Sequence, residues 1–209
     1  MSYISATTTK NDYLTDISRG KVGDVRALIV EGHNPSFDTA DGEVTLWGAG
    51  VNLTYLTAAE TLNCVSSDVN DANGNTGAWS LFIVGLDAAF NRVTDLVLLA
   101  GQTPVESNEA FYRVDSLFVV NAGSSLTNEG TITCTASTAA TIQAEMDPGY
   151  SVAEEGFHTL FKDTKTIIKQ VEFDSTKAGG GQNPEVNFRI YIRAPGANQP
   201  WFIVLERKL

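Results

Sequence analysis

The chain has 209 residues, with 25 acidic and 14 basic side chains, a formal charge of −11 and a pI near 4.5. Such a length suits one domain, and 43% apolar residues are enough for a core that needs no metal or disulfide to hold it. The acidic balance argues against nucleic acids and anionic membranes as partners, since phosphate binding needs clustered Lys and Arg, and no apolar run reaches the ~18 residues of a membrane span.

The first residues, Met1-Ser-Tyr-Ile-Ser-Ala-Thr-Thr-Thr-Lys10, lack the basic start and apolar stretch of a secretory leader, so synthesis in a reducing cytosol is the expectation. Residues 1–24 read as a polar N-terminal arm, and residues 25–209 as a single β domain. Within the arm, Asp12–Ile17 can form a turn or two of helix before Gly20 and Gly23 interrupt it. Thr57–Leu62 can form another short turn. Strand patterns dominate the rest. Trp79–Val84, Leu96–Leu99 and Leu117–Val120 are short, apolar on both faces and bounded by turn formers. They fit central strands, or strands covered by a neighbouring chain. In Thr131–Ala136, Ile132, Cys134 and Ala136 alternate with three threonines, which places the cysteine inside. Ile167–Phe173 precedes a glycine-rich loop at 179–181. From Val186 to Arg193, Val186, Phe188, Ile190 and Ile192 alternate with Asn187, Arg189, Tyr191 and Arg193, a strand expected to bury its apolar set. Turn signals such as Asn73-Gly74, Ala122-Gly123, Glu129-Gly130 and Pro148-Gly149 recur at short spacing. The pattern predicts an all-β protein: an antiparallel, jelly-roll-like β-sandwich of about ten strands.

Cys64 and Cys134 lie 70 positions apart with no neighbouring Cys or His to complete a zinc pattern. A bridge and two buried thiols both fit, and the expected reducing compartment favours thiols. Charge is uneven. Residues 1–149 hold 18 acidic and 6 basic side chains, whereas residues 150–209 hold 7 and 8. A solvated acidic surface explains this, and so does contact of Arg189, Arg193 and Lys169 with an acidic patch on a neighbour.

Signs of chemistry are sparse. His33 lies in a turn sequence and His158 at an expected strand start, and neither has the context of a nucleophile elbow or a zinc protease helix. Asp71, Asn73 and Asn75 match positions 1, 3 and 5 of a calcium loop, but Thr76 and Phe82 stand where its glycine and bidentate glutamate belong, so an Asx-rich turn is the better reading. Gly48-Ala-Gly50 lacks a third glycine, and Asn52-Leu-Thr54 is a glycosylation acceptor only in a secreted chain. Trp47, Trp79 and Trp201 suit core anchors better than sugar platforms. No catalytic, cofactor-binding or metal-binding residue is singled out.

Several stretches together resemble a family of small virion proteins of tailed phages, many of them marine. The resemblance rests on Gly32-His-Asn-Pro35, Asp38–Gly42, Leu46-Trp47-Gly48, Ser66-Ser67, Asn70-Asp71, Asn75–Ala78, Gly85-Leu-Asp87, Leu99–Val105, Tyr112-Arg-Val114, Ala122-Gly-Ser124 and Asn128–Thr133. It spans residues 31 to about 147. The chain departs from the family at Val152-Ala-Glu-Glu-Gly156, where a Val-Pro-Ala-Gly turn is usual. The resemblance implies a non-enzymatic structural protein of the virion, made in the host cytoplasm. The expected role is that of a capsid decoration, or cement, protein on the outer shell. It would contact the major capsid protein or neighbouring virion subunits, as a homo-oligomer with a trimer favoured. A tail component (tube, fibre or baseplate-proximal subunit) is the alternative, and a carbohydrate-binding β-domain a third possibility.

Overall fold

The computed structural model describes residues 16, 19, 30–34, 43–164, 171, 172, 187–193 and 201–208. The chain divides into two units, Met1–Glu31 and Gly32–Leu209. In the first, Asp16 is helical, and the rest of the expected turn at 12–17 lies outside the described residues. The strand expected at Ile167–Phe173 and the loop at 179–181 also lie outside them, apart from 171 and 172.

The second unit is all-β and antiparallel. Its described strands are β1 (Leu62–Ser66), β2 (Ala78–Leu86), β3 (Arg92–Leu98), β4 (Val105–Glu106), β5 (Arg113–Ala122), β6 (Ile132–Ala136), β7 (Ile142–Met146), β8 (Asn187–Arg193) and β9 (Trp201–Lys208). They form a four-stranded sheet ordered β4-β1-β6-β7, a three-stranded sheet ordered β3-β2-β5 and a β8-β9 hairpin. Thr57–Leu62 is not a helical turn. Glu60 bridges to Phe111, and Leu62 opens β1, because this segment's backbone pairs with distant strands rather than with itself.

Period-two alternation sets what each strand buries. Leu62 and Cys64 of β1, Ile132, Cys134 and Ala136 of β6, and Ala144 and Met146 of β7 point to one side. Leu81 and Ile83 of β2, Val97 of β3 and Leu117 of β5 meet them in a single hydrophobic cluster. Its largest side chains have lost essentially all contact with solvent. At ~25 cal/mol per Å² of apolar area removed from water, that burial is the main favourable term in folding.

In this register Cys64 stands directly opposite Cys134, with Cα atoms 4.2 Å apart, and the two form a disulfide. The amide of Ser67 donates to the carbonyl of Thr131, and that of Ser137 to Thr61, so hydrogen bonds fall on the odd-numbered pairs. Cys64 and Cys134 therefore occupy a non-hydrogen-bonded pair, where side chains on neighbouring strands approach most closely. This corrects the expectation of free thiols.

At one end of the two sheets the chain is drawn together on Asp71. Its buried carboxylate accepts from Ser66 Oγ (2.6 Å), and from the amides of Ala78 (2.7 Å), Glu129 (2.9 Å) and Gly130 (2.8 Å). Its main-chain carbonyl accepts from Gly101 N–H at 2.8 Å. The close approach requires Gly77, where any Cβ would collide with this carboxylate. The calcium-like spacing is thus an Asx-rich turn whose aspartate is fully occupied by protein donors. Replacing Asp71 with Asn sets an NH₂ group against donors and should lower stability by about 3 kcal/mol in urea titrations. The Cys64→Ser/Cys134→Ser double variant, which opens a link 70 positions long, should lose about 2–4 kcal/mol. Wild-type protein denatured without reductant should show no thiol reactive toward Ellman's reagent.

Candidate functional site

Two clusters of ionisable side chains stand out among the described residues. The first grows from β5. Leu117 and Val114 both face the core, since the register with β2 slips between them, and Asp115 sits at that irregularity. The segment after β7 runs antiparallel along the same strand. Val119 N–H donates to Ser151 O, Ala153 N–H donates to Leu117 O, both at 2.9 Å, and Phe118 bridges to Val152. Continued by three residues, that register places Glu155 opposite Asp115. Two acids then share one inward-facing cross-strand position, an arrangement that costs stability when both are charged.

Glu155 is buried, and neither carboxyl oxygen has a hydrogen-bond partner. Burial, reinforced by the charge of Asp115, raises its pKa well above the ordinary carboxylate range. The Asp115 side chain is only 3% exposed. One of its oxygens accepts from Thr159 N–H at 3.0 Å, and the other lies 3.7 Å from His158 Nδ1. Burial also raises the Asp115 pKa, against opposing contributions from His158, the Thr159 amide and Arg113. Arg113 does not neutralise the pair by contact. Its guanidinium donates to the carbonyls of Leu56 (3.0 Å) and Tyr112 (2.5 Å) and lies over the rings of Tyr112 and Tyr55. Arg193, from β8, is 4.8 Å from the centroid of the same Tyr55 ring. Chemically, burial of Glu155 without a hydrogen-bond donor disfavours its charged form. Glu155 is only 5% exposed, so its carboxyl is poorly placed to meet a substrate in solution.

The second cluster surrounds His33, whose Nδ1 lies 3.8 Å from Glu154 and 4.0 Å from Asp147, and whose ring stacks on Tyr150. Glu145 completes it, its pKa raised by burial and by the neighbouring Asp147. These residues line a shallow depression with Gly48 and Val152, of about 10 Å³, room for little more than one water molecule. No group of three His, Cys, Asp or Glu among the described residues is arranged to hold a metal ion.

The two histidines of the sequence therefore sit in separate acidic surroundings, neither beside a nucleophile. Trp47 is buried, with its ring edge-on to Phe157 and its indole N–H donating to Val51 O. Trp79 is half-buried and donates to Asn75 O at 2.7 Å. The Trp201 side chain lies outside the described residues. Glu155 and Asp115 escape sequence reasoning because their pairing depends on a strand register. The sequence signal that touches them is the acidic pair in Val152-Ala-Glu-Glu-Gly156.

The remaining candidates are surfaces. Across the outer face of the three-stranded sheet, Leu96, Phe82, Phe118 and Val152 form one aligned row. The two phenylalanine rings are 5.3 Å apart, and Leu96 and Val152 are exposed, as are Leu98 and Val120 beside the row. The hairpin is apolar on its outward face. Ile190 pairs with Leu205, and Ile192 with Phe202, and of these Ile192 and Phe202 are 51% and 56% exposed. Its other face carries Arg189, Tyr191 and Arg193, and Arg193 is half-buried against Tyr55. The alternation expected for 186–193 holds over its first half, with Phe188 and Ile190 half-buried and Asn187 and Arg189 exposed, and reverses past the register irregularity after Ile190, where Ile192 is exposed and Tyr191 and Arg193 are half-buried.

Comparison with protein-family models, curated proteins and solved structures found no match for the chain.

The Glu155 carboxyl makes a directional prediction about pH. A carboxyl whose pKa is raised by folding stabilises the fold fully below its unfolded value, and that contribution is lost as pH rises through the folded value. Glu155→Gln, neutral at every pH, should therefore melt close to wild type near about pH 4 and several degrees higher near about pH 8. Parallel melting curves across that range would contradict the buried, unpartnered carboxyl.

Proposed function

We propose that this chain is a non-enzymatic structural subunit of a tailed-phage virion, a decoration protein that binds the outside of the capsid and holds neighbouring capsomers together. On this reading the four- and three-stranded sheets are the two layers of a β-sandwich, and the chain works as a homo-oligomer against the major capsid protein.

The observation that carries the reading is the hairpin's outward apolar face. A two-stranded ribbon is at best marginally stable alone. In this one Arg193 lies over Tyr55, Arg189 hydrogen-bonds Glu206 of the paired strand, and Ile192, Phe202 and Ile203 are exposed. Exposed apolar area of this kind is the signature of a surface that another molecule covers. The exposed row on the three-stranded sheet supports the same conclusion. The two ionisable clusters offer no nucleophile and no ligand-sized cavity, which favours binding over turnover. The resemblance of residues 31 to about 147 to small phage virion proteins supplies the biological setting. Repeated modest contacts, multiplied by particle symmetry, would oppose the outward pressure of a packaged genome through avidity.

Densitometry of purified particles of the encoding phage should find this chain in hundreds of copies, and gold-labelled antibody should decorate the heads. A handful of copies, or label confined to tails, would transfer the chain to the tail-component alternative. Its absence from purified particles would end the virion reading.

A further inference from the structure

We propose that residues 151–159 form a strap over the edge of β5, closed while Glu155 is neutral and opened locally when Glu155 ionises, so that a rise in pH bares this edge while the rest of the fold stands. The device belongs to the fold itself and is independent of any assembly role.

β5 is an outer strand of the β3–β2–β5 sheet, and the strap supplies the partner for its free side. The pairing is short. Val119 N–H donates to Ser151 O, Ala153 N–H donates to Leu117 O, and Phe118 bridges to Val152. The next pair in this register is Asp115 with Glu155, and no main-chain hydrogen bond joins them. The ladder therefore ends where the two acids meet. Ser151 opens the strap at a φ of 60°, a left-handed conformation that only glycine adopts without cost. A segment held by so few main-chain bonds is of the kind that opens without global unfolding.

Both oxygens of Glu155 and one of Asp115 are buried without a hydrogen-bond partner. The other Asp115 oxygen accepts from Thr159 N–H at 3.0 Å, so the far end of the strap is tied to the very acid that Glu155 faces. Charging Glu155 thus sets a second unsolvated negative charge against the strap's own anchor. Opening returns that charge to water. Burial raises the pKa of both acids, so closure is favoured at low pH and weakens as pH rises through the value Glu155 has in the closed strap.

The groups around the pair do not cancel this. His158, within the strap, has Nδ1 3.7 Å from Asp115, and a histidine loses its charge between about pH 5 and 8, so this cation fades over the same rise in pH. The Arg113 guanidinium is bound to the carbonyls of Leu56 and Tyr112 and lies over the rings of Tyr112 and Tyr55, and Arg193 is on the same Tyr55 ring. Outside the pair, Glu154 is 3.8 Å from His33, with Asp147 and Glu145 alongside, a solvent-accessible contact of little weight.

The test is residue-resolved amide hydrogen exchange on the full chain, corrected for the intrinsic effect of pH. From about pH 5 to about pH 8 the amides of Ala153, Thr159 and Val119 should lose protection, by up to about tenfold per pH unit until Glu155 is ionised in the closed form. Near about pH 8 they should exchange much faster than the amides of Ser67 and Ser137, which donate at 2.9 Å across the β1–β6 pairing. Dilute urea should leave exchange at the strap unchanged, because local opening exposes little surface. In Glu155→Gln the strap should stay protected across the series. Should that variant misfold, Asp115→Asn, which keeps an acceptor for Thr159, should shrink the loss at the strap.

Strap protection that does not change with pH would overturn the proposal. So would strap amides that exchange in step with Ser67 and Ser137 and rise with urea as they do, because Glu155 would then weaken the fold only as a whole. An undiminished pH effect in the variant would assign the opening to another group, and would overturn it as well. None of these results depends on where in a particle the chain lies.

Discussion

The fold depends on a buried carboxylate that is satisfied by protein donors alone. Asp71 gathers the end of β1, the start of β2, the turn after β3 and the loop before β6 onto one residue, and these segments are far apart in sequence. Transferring a charge from water into protein costs several kcal/mol even after relaxation, and only a full set of charge-assisted hydrogen bonds offsets it. Four donors point at the two oxygens of Asp71. Because they come from both sheets' connections, the interaction fixes where the sheets meet as well as how one loop closes. The Cys64–Cys134 bridge acts within the four-stranded sheet and locks β1 to β6, whose pairing closes a long stretch of chain.

Glu155 is the counter-case. It is buried like Asp71 but has no donors, and it faces a second acid across a strand pair. The same physics then drives the proton onto the carboxyl, since neutralisation costs less than an unpaired buried charge. The difference between the two acids is geometric. Asp71 sits at a turn, where main-chain amides converge. Glu155 sits on an extended segment whose amides are directed at the neighbouring strand. An acid in that second position lowers the stability of the fold wherever it is charged.

Legibility in the sequence follows the range of the interaction. Alternation over five to eight residues identifies β6 and β8, and runs of apolar residues between turn formers identify β2, β3 and β5, because those patterns depend only on local pleating. The inward placement of Ile132, Cys134 and Ala136 is legible for the same reason. What needs a register is not. The disulfide and the Asp115–Glu155 pair exist only once particular strands are aligned, and nothing near Cys64 in the sequence points to β6. Thr57–Leu62 misleads because its helix-compatible residues are captured by Phe111 and β6. For β8, period-two alternation identifies the strand but not which side meets the body. Phe188 and Ile190 are half-buried as alternation suggests, but past the irregularity after Ile190 the pattern reverses, with Ile192 exposed and Arg193 over the Tyr55 ring.

That local reversal has an energetic cause at Tyr55. A guanidinium over an aromatic ring is worth about 0.5–2 kcal/mol, more when the pair is desolvated. Two of them on one Tyr55 ring, together with the Arg189–Glu43 contact, orient a ribbon that has little stability of its own. The cost of this orientation is an apolar face left in water. Had the hairpin buried Ile192 and Phe202 against its own body, the fold would gain the transfer of that apolar area from water. The cation–π contacts on Tyr55 thus come with Ile192 and Phe202 left in water, a cost in free energy that the fold itself carries.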